Sequence, residues 1–150
     1  MSASSVFAVR KYHHNTNMEK RHKCFIEKDI PCAMTRLTGV IIDDEKDVAD
    51  LVAIFLELKG LDIVGRAYNG CQGVQIFEKE NPDFVILDMK MPEYDGAYAI
   101  SEIKKKNPDA KIFVVTGFCP YDNLEKDVTF VFTKPVDLTK LYEKITASLA

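Results

Sequence analysis

The sequence contains no tryptophan, and its only histidines are His13, His14 and His22. The stretch from Thr38 to Ala150 therefore cannot work as a histidine phosphocarrier. No Gly-x-x-x-x-Gly-Lys-Ser/Thr loop is present, which excludes nucleotide hydrolysis of the P-loop kind. The four cysteines, Cys24, Cys32, Cys71 and Cys119, include no Cys-x-x-Cys pair, so reduced thiols are expected. No apolar stretch approaches the ~20 residues of a membrane helix. The first residues lack the apolar core of a secretory signal, and a cytoplasmic location with no membrane partner is expected.

What is present is a 150-residue chain, 47% hydrophobic and 29% charged, as in a globular protein. Charge is unevenly spread. Residues 1–37 carry seven Lys/Arg against three Asp/Glu, a net +4, while residues 38–150 carry 13 against 20, a net −7. An acidic body lacks the clustered cations of phosphate contacts, so no direct DNA binding is expected. Residues 1–36 are polar, without sustained periodicity, and read as a solvated N-terminal tail. His13, His14, His22, Cys24 and Cys32 offer zinc-ligand types there, but at spacings that fit no standard site. Met34, just before the first strand, is a candidate start of translation. Residues 37–150 read as one domain, long enough to bury a core without disulfide or metal staples.

From Thr38 onward strand and helix alternate. Short runs of Val, Ile and Phe, at Gly39–Ile42, Phe84–Leu87, Ile112–Val115 and Val128–Thr133, read as strands buried on both faces of a parallel sheet. Asp62–Tyr68 is less apolar and is expected at the sheet edge. Between Glu45 and Lys59 the spacing of Val48, Leu51, Val52, Phe55 and Leu58 predicts one apolar helical stripe, ended by Gly60. Asn69-Gly70 opens a helix with Val74, Ile76 and Phe77, which Pro82 stops. A third helix starts near Gly96 with Tyr98, Ile100 and Ile103 as its apolar positions, and ends in Lys104-Lys105-Lys106, where the macrodipole favours cations. A last helix follows the cap Asp137, with Leu138, Leu141, Tyr142, Ile145 and Leu149 on one face. Repeated β-α units imply an α/β, doubly wound sheet.

Chemistry-bearing residues stand at the carboxyl ends of those strands: Asp43 and Asp44, then Asp88, Thr116 and Lys134. In an open parallel sheet these ends share one edge, so the side chains can converge in one crevice. Alone, each has a simpler use: an aspartate as helix cap, Thr116 as turn former, Lys134 as solvated lysine. Asp95-Gly96 is most simply a helix start. Together, three carboxylates, a hydroxyl and an ammonium can hold a divalent cation and a phosphoryl group.

The segments Ile41-Ile42-Asp43-Asp44-Glu45, Asp88-Met89-Lys90-Met91-Pro92-Glu93-Tyr94-Asp95-Gly96, Val114-Val115-Thr116-Gly117 and Thr133-Lys134-Pro135, in that order, resemble the receiver domain of two-component response regulators. The resemblance implies a flavodoxin-like five-stranded parallel sheet in the order 2-1-3-4-5. It implies that Asp88 accepts a phosphoryl group from a sensor histidine kinase or phosphotransfer protein, with Thr116 and Lys134 stabilising it. Asp43, Asp44, Asp88 and the backbone carbonyl of Lys90 would hold Mg²⁺. Magnesium suits such a set, taking one or two carboxylates while keeping several waters. The expected protein is a stand-alone switch acting through a separate downstream partner. By resemblance, Lys90 and Phe118 flank the phosphoryl group and govern access of water, and the Lys134–Pro135 bond is often cis.

Two other readings stay in view. A haloacid-dehalogenase-like phosphatase also sets an aspartate nucleophile at a sheet edge, but after its first strand in an Asp-x-Asp pattern that Asp43-Asp44-Glu45-Lys46 does not match. A pseudo-receiver would bind without taking phosphate. The chain departs from the family's pattern in one place. Only 17 residues separate Thr116 from Lys134, which leaves Tyr121–Asp127 for a helix of about two turns. The place of the usual switch aromatic, three before the lysine, holds Val131, flanked by Phe130 and Phe132.

Overall fold

The computed structural model describes residues 35–117 and 124–150. The tail histidines, Cys24, Cys32, Met34, Phe118 and Cys119 lie outside them. Residues Leu37–Ala150 belong to one unit. Its strands are β1 (Thr38–Ile42), β2 (Asp62–Ala67), β3 (Phe84–Leu87), β4 (Lys111–Thr116) and β5 (Phe130–Thr133). All pair in parallel, in the order β2-β1-β3-β4-β5, so the less apolar β2 is indeed at an edge. The helices are α1 (Lys46–Leu58), α2 (Gly70–Glu80), α3 (Gly96–Lys106) and α4 (Leu138–Leu149). This is the doubly wound, flavodoxin-like α/β fold. The chain moves outward in both directions from β1 and β3, which opens a crevice beyond their carboxyl ends.

Alternate strand residues feed two cores, because successive side chains leave opposite sheet faces. Val40, Ile42, Val85, Leu87, Ile112 and Val114 pack with Val74 and Phe77 of α2 and Ile100 and Ile103 of α3. On the other face Ile41, Phe84, Ile86, Phe113 and Val115 meet α1 and α4 through Val52, Leu56, Leu141 and Ile145. Three glycines give up their side-chain volume to a large neighbour. A Cβ at Gly39 would lie 2.2 Å from the Phe84 ring, one at Gly65 2.4 Å from Ile76, and one at Gly73 2.3 Å from Ile42. Gly60 ends α1 at φ +90°, a conformation that favours glycine.

Two helical faces differ from the spacing-based expectation. On α1 the buried residues are Ala49, Val52, Ala53 and Leu56, whereas Leu51 is 60% and Leu58 82% exposed. The helix is apolar on more than one side, and its two alanines let the backbone approach the sheet; a count of large side chains misses that. On α3, Ala99 is buried with Ile100 and Ile103, while Tyr98, named among the apolar positions, is not. Tyr98 lies outside against Tyr94, with ring centroids 4.9 Å apart.

The helix expected within Tyr121–Asp127 is, in its described part, a 3-10 turn at Leu124–Lys126. Leu124 and Val128 still plug the first core. Val131 packs against that core, while Phe130 and Phe132 face the other way as a pair 4.7 Å apart, with Lys144 over the Phe130 ring at 4.8 Å.

Candidate phosphoryl and metal site

The strand ladders continue one residue past each strand and so fix the backbone of the residues that matter. Asp43 N–H donates to Ala67 O at 3.0 Å, Asp88 N–H to Ile42 O at 2.9 Å, and Lys134 N–H to Thr116 O at 2.9 Å. Each side chain thus leaves a rigid edge and enters the crevice. Asp44, Glu45, Asp88, Lys90, Thr116, Gly117 and Lys134 all contribute to its lining.

Asp43, Asp88 and Thr116 are the polar residues buried among the described ones, at 5%, 5% and 2% exposure. Lys134 Nζ joins the carboxylates, reaching Asp43 Oδ2 at 3.2 Å, Asp88 Oδ2 at 3.3 Å and Glu45 Oε1 at 3.3 Å. The other oxygens face backbone donors: Glu45 N–H to Asp43 Oδ1 at 2.9 Å and Lys90 N–H to Asp88 Oδ1 at 3.2 Å. The Lys134–Pro135 peptide is cis.

The electrostatics are those of a crowded anionic pocket. Burial raises the Asp43 carboxyl above its ordinary value. The Glu45 N–H and Lys134 oppose this, and the Asp88 charge adds to it. For Lys134, burial pulls the ammonium down, but its bonds and charge attraction to Asp43 and Asp88 outweigh that and hold it above the usual lysine value.

The loop from Asp88 to α3 is pinned on both sides. Gly96 N–H donates to Met89 O at 3.0 Å and Gly70 N–H to Tyr94 O at 2.8 Å. A Cβ at Gly96 would lie 2.7 Å from both Asp88 O and Met89 Cα, so only glycine lets α3 start this close. Asp95 caps α3 by accepting Tyr98 N–H at 3.0 Å, the structural role its position suggests. On the opposite wall, a Cβ at Gly117 would meet nothing within 4 Å among the described residues.

The fold thus gathers the nominated residues that are described at one edge: Asp43, Asp44, Asp88, Lys90, Thr116 and Lys134. One adjustment concerns the carboxylates. The oxygens that lie within 4.8 Å of one another belong to Asp43, Glu45 and Asp88, and Asp44 stands on the crevice wall beside them. Glu45 was visible in the sequence as the third acid of Asp43-Asp44-Glu45, but nothing there showed its side chain turning back over the strand end. The Asp43, Asp44 and Asp88 carboxylates are hard oxygen donors that suit magnesium or another small hard cation, while the Glu45 carboxylate is turned to Lys134.

A sequence profile described as "Response regulator receiver domain" matches residues 40–146. The chain belongs to the response regulator receiver family. Among solved receivers, Thermotoga maritima TrrA in complex with Mg(2+)-BeF is 31% identical, with a TM-score of 0.69, covering 75% of this chain and 98% of that one. A Clostridium thermocellum receiver domain protein is 28% identical, with a TM-score of 0.70, covering 75% and 94%. A Pseudomonas aeruginosa protein named "Putative transcriptional regulator" is 36% identical over 77 residues, or 51% of this chain. The match spans only 37% of that relative's length. A receiver is a phosphoacceptor signalling domain of two-component systems. Among the described residues no helix is long and apolar enough to cross a membrane.

Proposed function

We propose that this receiver takes a phosphoryl group onto Asp88 from the phosphohistidine of a sensor histidine kinase or phosphotransfer protein. It then reports that state, in the cytoplasm, to a separate downstream protein. The observation that carries the proposal is the convergence of buried Asp88, buried Thr116 and Lys134 in one open crevice. An Asp88 carboxylate oxygen attacks phosphorus, the new P–O bond forms as the P–N bond to imidazole breaks, and the ring nitrogen keeps the bonding pair. Such transfers need positioning and charge stabilisation more than covalent help. Lys134 exchanges a carboxylate for a phosphoryl oxygen, and the Thr116 hydroxyl donates to another. Asp43, Asp44, Asp88 and the Lys90 carbonyl would hold Mg²⁺, which when bound neutralises charge on the phosphoryl group. Lys90 and Phe118 would set the access of hydrolytic water.

A protein partner, not DNA, is supported by how the lysines at the end of α3 are spent. Lys104 Nζ donates to Pro108 O and Ala110 O, Lys105 pairs with Glu102 at 2.6 Å, and Lys106 with Glu78 at 2.9 Å. No free basic patch is left there. The test is phosphorylation by acetyl phosphate, read by intact mass. The wild type should gain one phosphoryl group in Mg²⁺ and none in EDTA, and Asp88→Asn should gain none. Equal labelling of that variant would overturn the proposal.

A further inference from the structure

We infer that Glu45 is a positioning residue for Lys134, holding its ammonium at the solvent side of the crevice until a phosphoryl group replaces it. The inference rests on the reading of Asp88 as acceptor. Glu45 is the N-cap of α1, with φ −82° and ψ 98°, yet its side chain makes no capping bond. The other described α-helix N-caps, Asn69, Asp95 and Asp137, each accept a hydrogen bond from their own first turn. Glutamate is a poor cap, and its carboxylate is spent instead on Lys134, 89 residues away in sequence, at 3.3 Å.

The three carboxylates around that ammonium are not equivalent. Asp43 and Asp88 side chains are 7% and 6% exposed, while Glu45 is 63% exposed and reaches in from solvent. So exposed an ion pair adds little stability. What it adds is position: it draws the flexible lysine toward the mouth, between the acceptor and the approaching donor. Its backbone cannot drift, because its N–H is held by Asp43 Oδ1 and its C=O accepts from Ala49 N–H at 3.0 Å. An incoming phosphoryl group competes with Glu45 for the same three ammonium protons and repels the Glu45 carboxylate.

Two measurements test this. The first needs no phosphorylation: the Lys134 ¹⁵Nζ ammonium signal in resting protein should be protected from water exchange and should weaken in Glu45→Gln. An unchanged signal would overturn the inference. The second is the acetyl phosphate rate at saturating Mg²⁺, with the Mg²⁺ dissociation constant measured separately by calorimetry. Glu45→Gln should be labelled about two- to fivefold faster, the factor for losing one exposed ion pair, with its Mg²⁺ affinity unchanged within about twofold. In a Lys134→Ala background the same substitution should change nothing. Equal acceleration in both backgrounds would show only general charge repulsion, and a large loss of Mg²⁺ affinity would show a metal ligand; either refutes the positioning role. If wild-type protein takes no phosphoryl group, the reading of Asp88 fails, while the ammonium signal still judges Glu45.

Discussion

Replacing Lys134 with alanine removes the cation that neutralises two buried carboxylates. Its Nζ sits 3.2 Å from Asp43 and 3.3 Å from Asp88. Removing one partner of a buried ion pair costs about 3–5 kcal/mol, because the remaining charge is left in a poor solvent. Lys134 is 21% exposed and the crevice is open to water, so solvent screening brings the cost below that range, to about 2–3 kcal/mol. At about 4 °C per kcal/mol for a domain of this size, the midpoint of thermal unfolding should fall by roughly 8–12 °C in EDTA at pH 7. Added Mg²⁺ should raise the midpoint of the variant more than that of the wild type, since a cation then fills an uncompensated anionic site. The pH dependence has a definite sign. Lys134 has a raised folded-state value, so its contribution is complete below the ordinary lysine value of 10.5 and is lost as pH rises through the folded value. The gap between wild type and variant should therefore close in strong alkali. It should also narrow in acid, as Asp43, whose carboxyl is raised by burial, takes up a proton. Circular dichroism melts across pH, with and without Mg²⁺, provide the assay. A variant within about 2 °C of wild type in EDTA, or equal Mg²⁺ increments in both proteins, would refute this account of the charge balance.

Gly96→Ala should lower stability by about 1–3 kcal/mol, since its Cβ would strike the Asp88 and Met89 backbone; Gly117→Ala, whose Cβ meets nothing within 4 Å among the described residues, should be neutral or slightly stabilising by urea titration. On α1, fully buried Leu56→Ala should cost about 2–5 kcal/mol, whereas Leu58→Ala, at 82% exposure, should stay within about 0.5 kcal/mol in the same assay. A costly Leu58→Ala would restore the stripe that spacing alone suggests.

The parallel sheet and the shared edge of Asp43, Asp44, Asp88, Thr116 and Lys134 could be read from the sequence, because buried parallel strands are nearly continuous apolar runs and the residue after each run lies at the same edge; the strand order and Lys90 came only from the family resemblance. Helix α4 was equally plain: Leu138, Leu141, Tyr142, Ile145 and Leu149 form one stripe opposite polar positions, and all pack on the second core. Helix α1 was not, since its alanines bury as well as its leucines and apolar residues occupy more than one face. The 3-10 turn at Leu124–Lys126 escaped a length argument that assumed an α-helix. Glu45 escaped because the rotamer of an exposed glutamate depends on a lysine 89 residues distant.

The glycines beneath Phe84, Ile76 and Ile42 have a consequence for descent. At each of these places two positions share one volume: Gly39 with Phe84, Gly65 with Ile76, Gly73 with Ile42. Enlarging the small member alone overpacks the core, and shrinking the large member alone leaves a void, so either single step is selected against. Lineages that alter one member should then have altered the other in the opposite direction. Across descendants of a common receiver ancestor, side-chain volume at 39 should fall as that at 84 rises, and the same trade should hold between 65 and 76 and between 73 and 42.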